Sequence, residues 1–260
     1  MPIVVQADTT HLDQHRFSTI AYGVMGQAFD VHQEMGRFFK EDIYRAAIAR
    51  RIPGSQAEVQ IDVRYEDFSR QYFIDLLVNG GAPFELKAVE ALAGEHRSQM
   101  LNYLLLSGLS HGKLINMRTE SVQHEFVNTS LQHTDCVAFE VCSTPWQDPA
   151  PGGRLLMRWF IDLLHDVGTG LDVRLYEAAA ANFLGAVMEE VEILVAGQRV
   201  GTQKVCLASP EWGLALTTRG PTELARYEEH AKRFVMHTRL SGIHWINVTR
   251  EMVTFTSIAE

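Results

Sequence analysis

The sequence is poor in the features that mark secreted, membrane and thiolate-metal proteins. It has three cysteines, an odd number, and no CxxC spacing, which argues against a disulfide framework and against a cysteine-rich zinc site. It has no run of about 18 apolar residues, so no transmembrane helix is predicted. Its first residues show neither the basic nor the apolar region of a signal peptide. We therefore expect a cytoplasmic protein that does not bind membranes.

Positive charge is also scarce. The chain has 23 Lys and Arg residues against 32 Asp and Glu residues, which gives a net charge of −9 at pH 7. This balance argues against a broad basic surface that coats nucleic acid, but it leaves room for a small local groove. What the chain does have is 260 residues that are 46% hydrophobic. That is enough for one large core or two smaller ones.

An internal repeat organises the chain. Residues 35–47 (MGRFFKEDIYRAA) return 132 positions later, at 167–179, as VGTGLDVRLYEAA. Further on the offset changes by only a few residues, and the order of the matching segments is kept: Ile115-Asn116, for example, matches Ile246-Asn247. A repeat that keeps its order predicts a duplicated domain.

The repeat also predicts the domain boundaries. The first copy spans residues 1–126 and the second spans residues 154–260. A linker at 127–153 joins them, because residues 144–153 are rich in proline and glycine.

Hydrophobic periodicity predicts the same α/β fold in both copies, a mixed central sheet flanked by helices. In the first copy it predicts helices at 20–34, 41–51 and 96–106, and strands at 59–63, 72–78, 83–88 and 113–117. In the second copy it predicts a helix that ends at 182, another at 224–236, and strands at 191–195, 203–208, 214–217 and 243–248.

Candidate catalytic residues lie on two neighbouring strands of the first copy. Asp75 is in one strand and Glu85 is in the next, and the Asn79-Gly80-Gly81 turn joins them. Lys87 follows Glu85 by two residues, so the two share a sheet face. Two such carboxylates can approach closely and offer the oxygen ligands that Mg²⁺ or Mn²⁺ prefers. The lysine could then orient or deprotonate an attacking water. A solvated cross-strand salt bridge is the alternative for the same spacing.

An Asp followed by Glu-x-Lys after a hairpin resembles the motif of the PD-(D/E)xK nuclease superfamily. The wider pattern resembles the GxxExxY family over about residues 20–126, through His32, Gly36, Glu41, Tyr44, residues 75–78 and 85–90, His96, Gln99, Tyr103 and residues 114–116. The chain departs from that family at the glycine of its name, because Phe38 stands three residues before Glu41.

The resemblance implies a restriction-endonuclease-like fold and a metal-dependent nuclease that hydrolyses phosphodiester bonds of DNA or RNA. It implies four catalytic residues, Glu41, Asp75, Glu85 and Lys87, of which the three carboxylates hold Mg²⁺ or Mn²⁺. It further implies four residues that bind the nucleic acid or line its site: His32, Tyr44, Gln99 and Tyr103.

The second copy lacks these residues. The repeat places Val173, Leu207, Ala215 and Thr217 where the first copy has Glu41, Asp75, Glu85 and Lys87. Apolar side chains cannot bind Mg²⁺, so we expect a degenerate copy that forms an intramolecular pseudo-dimer with the first. The alternative is a non-catalytic tandem that binds or scaffolds partners. The acidic net charge favours that alternative, whereas the intact acidic set in one copy favours catalysis.

Overall fold

A computed structural model describes residues 2–143, 146 and 153–259. The chain divides into two compact units. The first consists of Met1–Tyr65 and Ser69–His133, and the second consists of Glu66–Phe68 and Thr134–Glu260. Most of the proline- and glycine-rich stretch that predicts the linker lies outside the described residues. No helix in the described part of the chain is both long enough and apolar enough to cross a bilayer.

The first unit is built on a six-stranded mixed sheet whose strands neighbour one another in chain order. They are β1 (Ile3–Val5), β2 (Ser55–Tyr65), β3 (Phe68–Val78), β4 (Ala82–Lys87), β5 (His111–Asn116) and β6 (Gln123–Asn128). The helices are α1 (Gln14–Met35), α2 (Glu41–Ala49) and α3 (Gly94–Ser107). Strands β4 and β5 are parallel, and α3 connects them, whereas β3–β4 and β5–β6 are antiparallel.

The core of the first unit covers one face of the sheet, so only strand residues on the other face can form a site. Helix α1 buries residues spaced by three or four, among them Phe17, Ala21, Val24, Ala28 and Val31. This stripe packs with Leu76 and Val78 of β3 and with Phe84 and Leu86 of β4. Because alternate residues of a strand point to opposite faces, the odd-numbered residues 75, 85 and 87 face away from this core.

The predicted turn between β3 and β4 is confirmed. Asn79 and Gly80 have φ angles of +50° and +67°, a left-handed conformation that asparagine and glycine adopt at low cost. The turn pairs Val78 with Ala82 and Leu76 with Phe84. This register brings the residues just beyond those pairs, Asp75 and Glu85, to adjacent positions.

The second unit contains a second six-stranded mixed sheet. The elements from 133 onward are α4 (His133–Cys136), β7 (Glu140–Cys142), α5 (Gly153–Val167), α6 (Val173–Leu184), β8 (Val187–Val195), β9 (Gln198–Ser209), β10 (Trp212–Thr217), α7 (Pro221–Met236), β11 (Gly242–Val248) and β12 (Met252–Ala259). The spatial order is β7-β12-β11-β10-β9-β8. All four tryptophans of the chain belong to this unit, and Trp159, Trp212 and Trp245 are buried.

Five strands follow the same order in both sheets. Strands β2 to β6 neighbour one another in sequence, as do β8 to β12. In each set the third and fourth strands are parallel and are connected by a helix. The sixth strand differs: β1 adds beside β2 in antiparallel orientation, whereas β7 adds beside β12 in parallel orientation. The predicted linker at 127–153 contains the end of β6 together with α4 and β7, so part of it is regular secondary structure.

Candidate active site

Three carboxylates meet at one end of the β3–β4 pair. Glu41 is the first residue of α2, Asp75 lies in β3 and Glu85 lies in β4. One oxygen from each carboxylate lies within 4.8 Å of the others. Asp75 and Glu85 are buried, with 7% and 2% exposure, and Glu41 is half-buried. The structure thus brings together the three residues expected to bind a metal.

Hydrogen bonds to both carboxylate oxygens hold Asp75 in place. Its Oδ2 accepts from the backbone N–H of Leu86 at 2.9 Å, and its Oδ1 accepts from Nη1 of Arg45 at 2.8 Å. The same guanidinium donates through Nη2 to Glu58 Oε1 at 2.7 Å. Each Asp75 oxygen has two acceptor sites. One site on each oxygen therefore remains for another ligand, in an orientation that two donors fix.

Lys87 points into the same cluster. Its Nζ donates to Glu85 Oε1 at 2.7 Å and lies 3.6 Å from Glu41 Oε1. Burial alone would lower the pKa of Lys87, but the neighbouring charges of Glu85, Glu41 and Asp75 together raise it. Lys87 is therefore an ammonium group held among carboxylates.

Burial and repulsion make Glu85 a weak acid. Burial, and then the charge of Asp75, raise the pKa of Glu85 to about 8, although Lys87 opposes the shift. Burial also raises the pKa of Glu41. Within the described part of the chain, Glu85 Oε2 is a buried oxygen with no hydrogen-bond partner. A buried, unsatisfied carboxylate oxygen beside two other carboxylates matches the all-oxygen donor set of Mg²⁺ or Mn²⁺, so the residues present fit the ion.

The Gln99–Tyr103 pair adjoins this cluster. On α3, Gln99 Nε2 donates to the Tyr103 hydroxyl at 2.8 Å. Burial, and then the charges of Glu85 and Asp75, raise the pKa of Tyr103 above its usual value. The tyrosine hydroxyl therefore keeps its proton, and it lies close enough to sense both carboxylates. Only 6% of Tyr103 is exposed, so little of this side chain is open to solvent.

Two expected site residues have other roles. Tyr44 is fully buried in the core. Its hydroxyl donates to the carbonyl of Gly36 at 2.7 Å and accepts from the N–H of Phe39 at 3.2 Å. The buried ring and its engaged hydroxyl fix the α1–α2 connection, and the expected contact of Tyr44 with substrate stays a prediction. His32 Nε2 lies 3.0 Å from the carbonyl of Thr119, and this hydrogen bond ties α1 to the loop after β5.

The second unit repeats the tyrosine contacts. The hydroxyl of Tyr176 donates to the carbonyl of Gly168 at 2.8 Å and accepts from the N–H of Leu171 at 3.1 Å. Each of these residues lies 132 positions after its counterpart in the contacts of Tyr44. The same three-residue arrangement therefore shapes the helix connection in both units.

A buried asparagine on the fourth common strand is also repeated. Asn116 on β5 accepts from the N–H of Val89 and donates to its carbonyl. Asn247 on β11 accepts from the N–H of Arg219 and donates to its carbonyl. In each unit the bonded residue lies two positions after the end of the neighbouring parallel strand. The asparagine thus fixes the chain where it leaves the sheet.

A β-bulge shifts one expected correspondence. Leu207, which the offset assigns to Asp75, pairs with Gly213. Gly213 is the counterpart of Pro83, whose own partner lies two residues after Asp75. The position of Asp75 therefore falls two residues earlier in β9, on Val205. Leu207 and Val205 are both apolar, so either assignment puts an apolar residue at the position that Asp75 has in the first unit.

The positions that the strand register matches to Asp75 and Glu85 line a cavity in the second unit. Val205 and Ala215 line a cavity of about 360 Å³ together with Tyr227 and Phe234. Thr217, which stands in place of Lys87, donates its hydroxyl to Asn247 Oδ1 at 2.7 Å. In the described part of this unit, the positions that match the cluster carry no carboxylate.

Arg45 was not among the expected site residues, although it binds Asp75 directly. One signal could have found it, because Arg45 follows Glu41 by four residues on α2 and so shares its helix face. In the second unit the matching position carries Glu177. The guanidinium thus occurs only in the unit that has the carboxylates.

The chain was compared with curated proteins, solved structures and family models. No curated protein matches the chain. A solved structure described as "Crystal structure of SSO0001" aligns with 15% identity and a TM-score of 0.30 over 50% of this chain and 71% of that chain, and a likeness of that size supports no inference. The family comparison is more specific and covers the sheet and the acidic cluster of the first unit: residues 18–128 match the family model of the PD-(D/E)XK nuclease superfamily.

Proposed function

We propose that the first unit is a metal-dependent nuclease that hydrolyses phosphodiester bonds of DNA or RNA. The observation that carries this proposal is the convergence of Glu41, Asp75 and Glu85 within 4.8 Å of one another. The ammonium of Lys87 lies among them, and one buried oxygen of Glu85 lacks a partner in the described residues. The family match supports it, because proteins of this superfamily are generally hydrolytic nucleases.

Each residue of the cluster has a distinct proposed role. Glu41, Asp75 and Glu85 would hold Mg²⁺ or Mn²⁺, which supplies Lewis-acid chemistry at the phosphate when it is bound. Lys87 would donate hydrogen bonds to the phosphate or to the attacking water, and would offset the negative charge that develops in the transition state. Its raised pKa favours this donor role over that of a general base. The Tyr103 hydroxyl, oriented by Gln99, would contact the nucleic-acid backbone.

We infer that the second unit is a degenerate copy of the first, with the two copies near residues 1–126 and 154–260. That the first copy belongs to the GxxExxY family is a further proposal, which rests on the sequence resemblance. The shared order of five strands, the repeated tyrosine contacts and the repeated asparagine contacts support this inference. An intramolecular pseudo-dimer in which this copy adds stability or positions substrate stays a prediction.

The test is a cleavage assay on end-labelled DNA and RNA with Mg²⁺ or Mn²⁺. The wild type is expected to cut one or both, and a chelator is expected to stop it. Asp75→Ala and Glu85→Gln are expected to lose cleavage by at least about a hundredfold, because each removes a charge from the metal site. The matched control is Asp42→Asn, which neutralises an exposed carboxylate next to Glu41 and is expected to cut like the wild type.

The competing function is a binding or scaffolding tandem without turnover. The net charge of −9 favours it. A wild-type protein that cuts neither nucleic acid with either ion would overturn the nuclease proposal in favour of this function. Cleavage that survives in Asp75→Ala at more than a few per cent of the wild-type rate would place the working site elsewhere in the chain.

A further inference from the structure

An exposed aromatic side chain lies close in sequence to the first residue of the carboxylate cluster. Phe38 is 78% exposed, although exposure of a whole phenyl ring to water is unfavourable. It precedes Glu41 by three residues, and three residues of chain reach at most about 11 Å. The ring therefore lies within the length of a short oligonucleotide from the proposed metal ligands.

The loop that carries Phe38 is fixed at both ends. The hydroxyl of Tyr44 bonds the residues on both sides of the Arg37-Phe38 pair, namely the Gly36 carbonyl and the Phe39 N–H. Gly36 has φ +72° and ψ −158°, a combination that is essentially restricted to glycine. Phe39 in turn packs edge-on against the Tyr44 ring. The backbone is thus held by specific contacts while the Phe38 side chain points to solvent.

The second unit provides an internal comparison. Its loop has the same tyrosine contacts, but Gly170 stands at the position of Phe38. Gly170 has a φ of +81°, whereas Phe38 has no left-handed φ. The loop can therefore be built without an aromatic residue. The exposed phenyl ring belongs to the unit that has the carboxylates and is not required by the fold.

Positive charge accompanies the ring. The guanidinium of Arg37 lies 5.5 Å from the centroid of the Phe38 ring, within the range of a cation–π contact. Lys40 follows two residues later. Between residues 37 and 51 the chain has five basic and two acidic residues, in contrast to its overall excess of acid. Of these five, Arg45 and Arg51 are held in ion pairs with carboxylates. The positive charge next to Phe38 in the chain that is complementary to a phosphate backbone is therefore that of Arg37 and Lys40.

We propose that Phe38 is a stacking platform for an unpaired base of a single-stranded nucleic acid, and that Arg37 binds the adjoining phosphate. An aromatic ring flanked by cations is the combination with which proteins hold single strands without reading their sequence. In a duplex the base faces are covered by their neighbours, so this platform selects substrates with unpaired bases. The inference deepens the proposed nuclease function and rests on it for the position of the strand.

The test measures binding in the absence of cleavage. The full-length protein is titrated, in the presence of a chelator, against fluorescein-labelled oligodeoxythymidine or oligouridine of about 12 nucleotides, a length typical of single-strand sites. A labelled duplex of the same length serves as the second probe. Fluorescence anisotropy gives the Kd of the wild type, Phe38→Ala, Phe38→Trp and Arg37→Gln. Tyr22→Ala is the matched control, because it removes an aromatic residue of α1 that is 85% exposed.

For at least one of the two single-stranded probes, Phe38→Ala is expected to raise the Kd by about 5- to 100-fold, the effect of losing one stacked base. The same change should leave the Kd of the duplex unaltered. Phe38→Trp should restore binding, because a larger ring stacks at least as well. Arg37→Gln should weaken binding and reduce its dependence on salt. Tyr22→Ala should bind like the wild type. Because Phe38 is exposed, its replacement is expected to leave folding unchanged, and a circular dichroism melt checks this.

The inference is overturned if the wild type binds neither single-stranded probe, if Phe38→Ala binds both like the wild type, or if its loss is equal on the duplex. These outcomes are separate from those of the nuclease proposal. A wild type that binds single strands through Phe38 but never cuts them with Mg²⁺ or Mn²⁺ would keep the platform and reject the nuclease. A wild type that cuts nucleic acid, together with a Phe38→Ala variant that binds single strands normally, would keep the nuclease and reject the platform.

Discussion

Glu85 should make the affinity of the site for a divalent ion depend on pH. Its pKa is raised to about 8 by burial and by Asp75, so below that pH the metal-free site holds a proton that a divalent ion must displace. The apparent Kd for Mn²⁺ should therefore fall by up to about tenfold per pH unit as the pH rises towards 8, and level off above it. Calorimetric titrations across this range measure the slope.

Two variants control that experiment. Asp42→Asn should keep the slope of the wild type, because the carboxylate it removes is exposed. Glu85→Gln should bind Mn²⁺ weakly and with a shallower pH dependence. A wild-type Kd that does not change between about pH 6 and pH 8 would contradict the assignment of Glu85 as a ligand.

Arg45 controls the orientation of Asp75. Arg45→Met removes one of the two donors to that carboxylate, and we expect the cleavage rate at saturating Mn²⁺ to fall by about ten- to a hundredfold, because small misplacements of a catalytic group are costly. Arg45→Lys keeps the charge but cannot bridge Asp75 and Glu58 in the same way, so an intermediate rate is expected. Wild-type activity in Arg45→Met would show that Asp75 needs no such support.

At this scale the sequence predicted the carboxylates and the lysine, but not their partners. Asp75, Glu85 and Lys87 follow from strand alternation and one tight turn, which are local rules. Arg45 binds Asp75, and Glu58 binds Arg45, through tertiary packing. The helix spacing of Arg45 indicates only that it shares a face with Glu41, and it does not identify these partners. The hydrogen bonds of Tyr44 to the α1–α2 connection were not predicted for a related reason. Its position three residues after Glu41 on a helix fixes the helix face, whereas its burial depends on the elements packed around it.

The α1–α2 connection depends on one hydroxyl. Tyr44→Phe should lower the free energy of unfolding of the first unit by about 1–3 kcal/mol, because it leaves the Gly36 carbonyl and the Phe39 N–H without their partner. Tyr176→Phe should do the same to the second unit. Urea unfolding followed by circular dichroism measures both, and Tyr22→Phe is the exposed control. Unchanged stability in both buried variants would mean that water replaces the hydroxyl.

Central elements were more predictable than peripheral ones. Strands β3, β4 and β5 carry apolar residues on the face that packs on α1, so their hydrophobic pattern is strong. Strand β6 alternates between exposed and half-buried residues, and β1 and β7 have three residues each. Such short or weakly buried strands leave little trace in hydrophobic periodicity. Their presence depends on the edges of the sheets they join.

A divalent ion should stabilise one unit only. The carboxylate cluster belongs to the first unit, and its counterpart in the second is apolar. Scanning calorimetry should therefore show one transition that Mn²⁺ raises and one that it does not. The shift should be larger at about pH 8.5 than at about pH 6. The pKa of Glu85 is higher in the folded protein than in the unfolded one. The metal-free fold therefore loses stability as the pH rises from the ordinary pKa of a glutamate through about 8, and the ion offsets this loss. Equal shifts of both transitions would contradict a single site.

The distribution of tryptophan gives each half of the molecule its own optical signal. Because all four indoles belong to the second unit, emission excited at the red edge of their absorption reports on that unit alone, and circular dichroism reports on both. Denaturant curves from the two methods should coincide only if the halves unfold together. If the halves unfold separately, Mn²⁺ should shift the part of the dichroism curve that comes from the first unit and leave the indole emission curve in place. The native chain thus carries, without any label, a spectroscopic means of distinguishing the half that has the carboxylate cluster from the half that has the tryptophans.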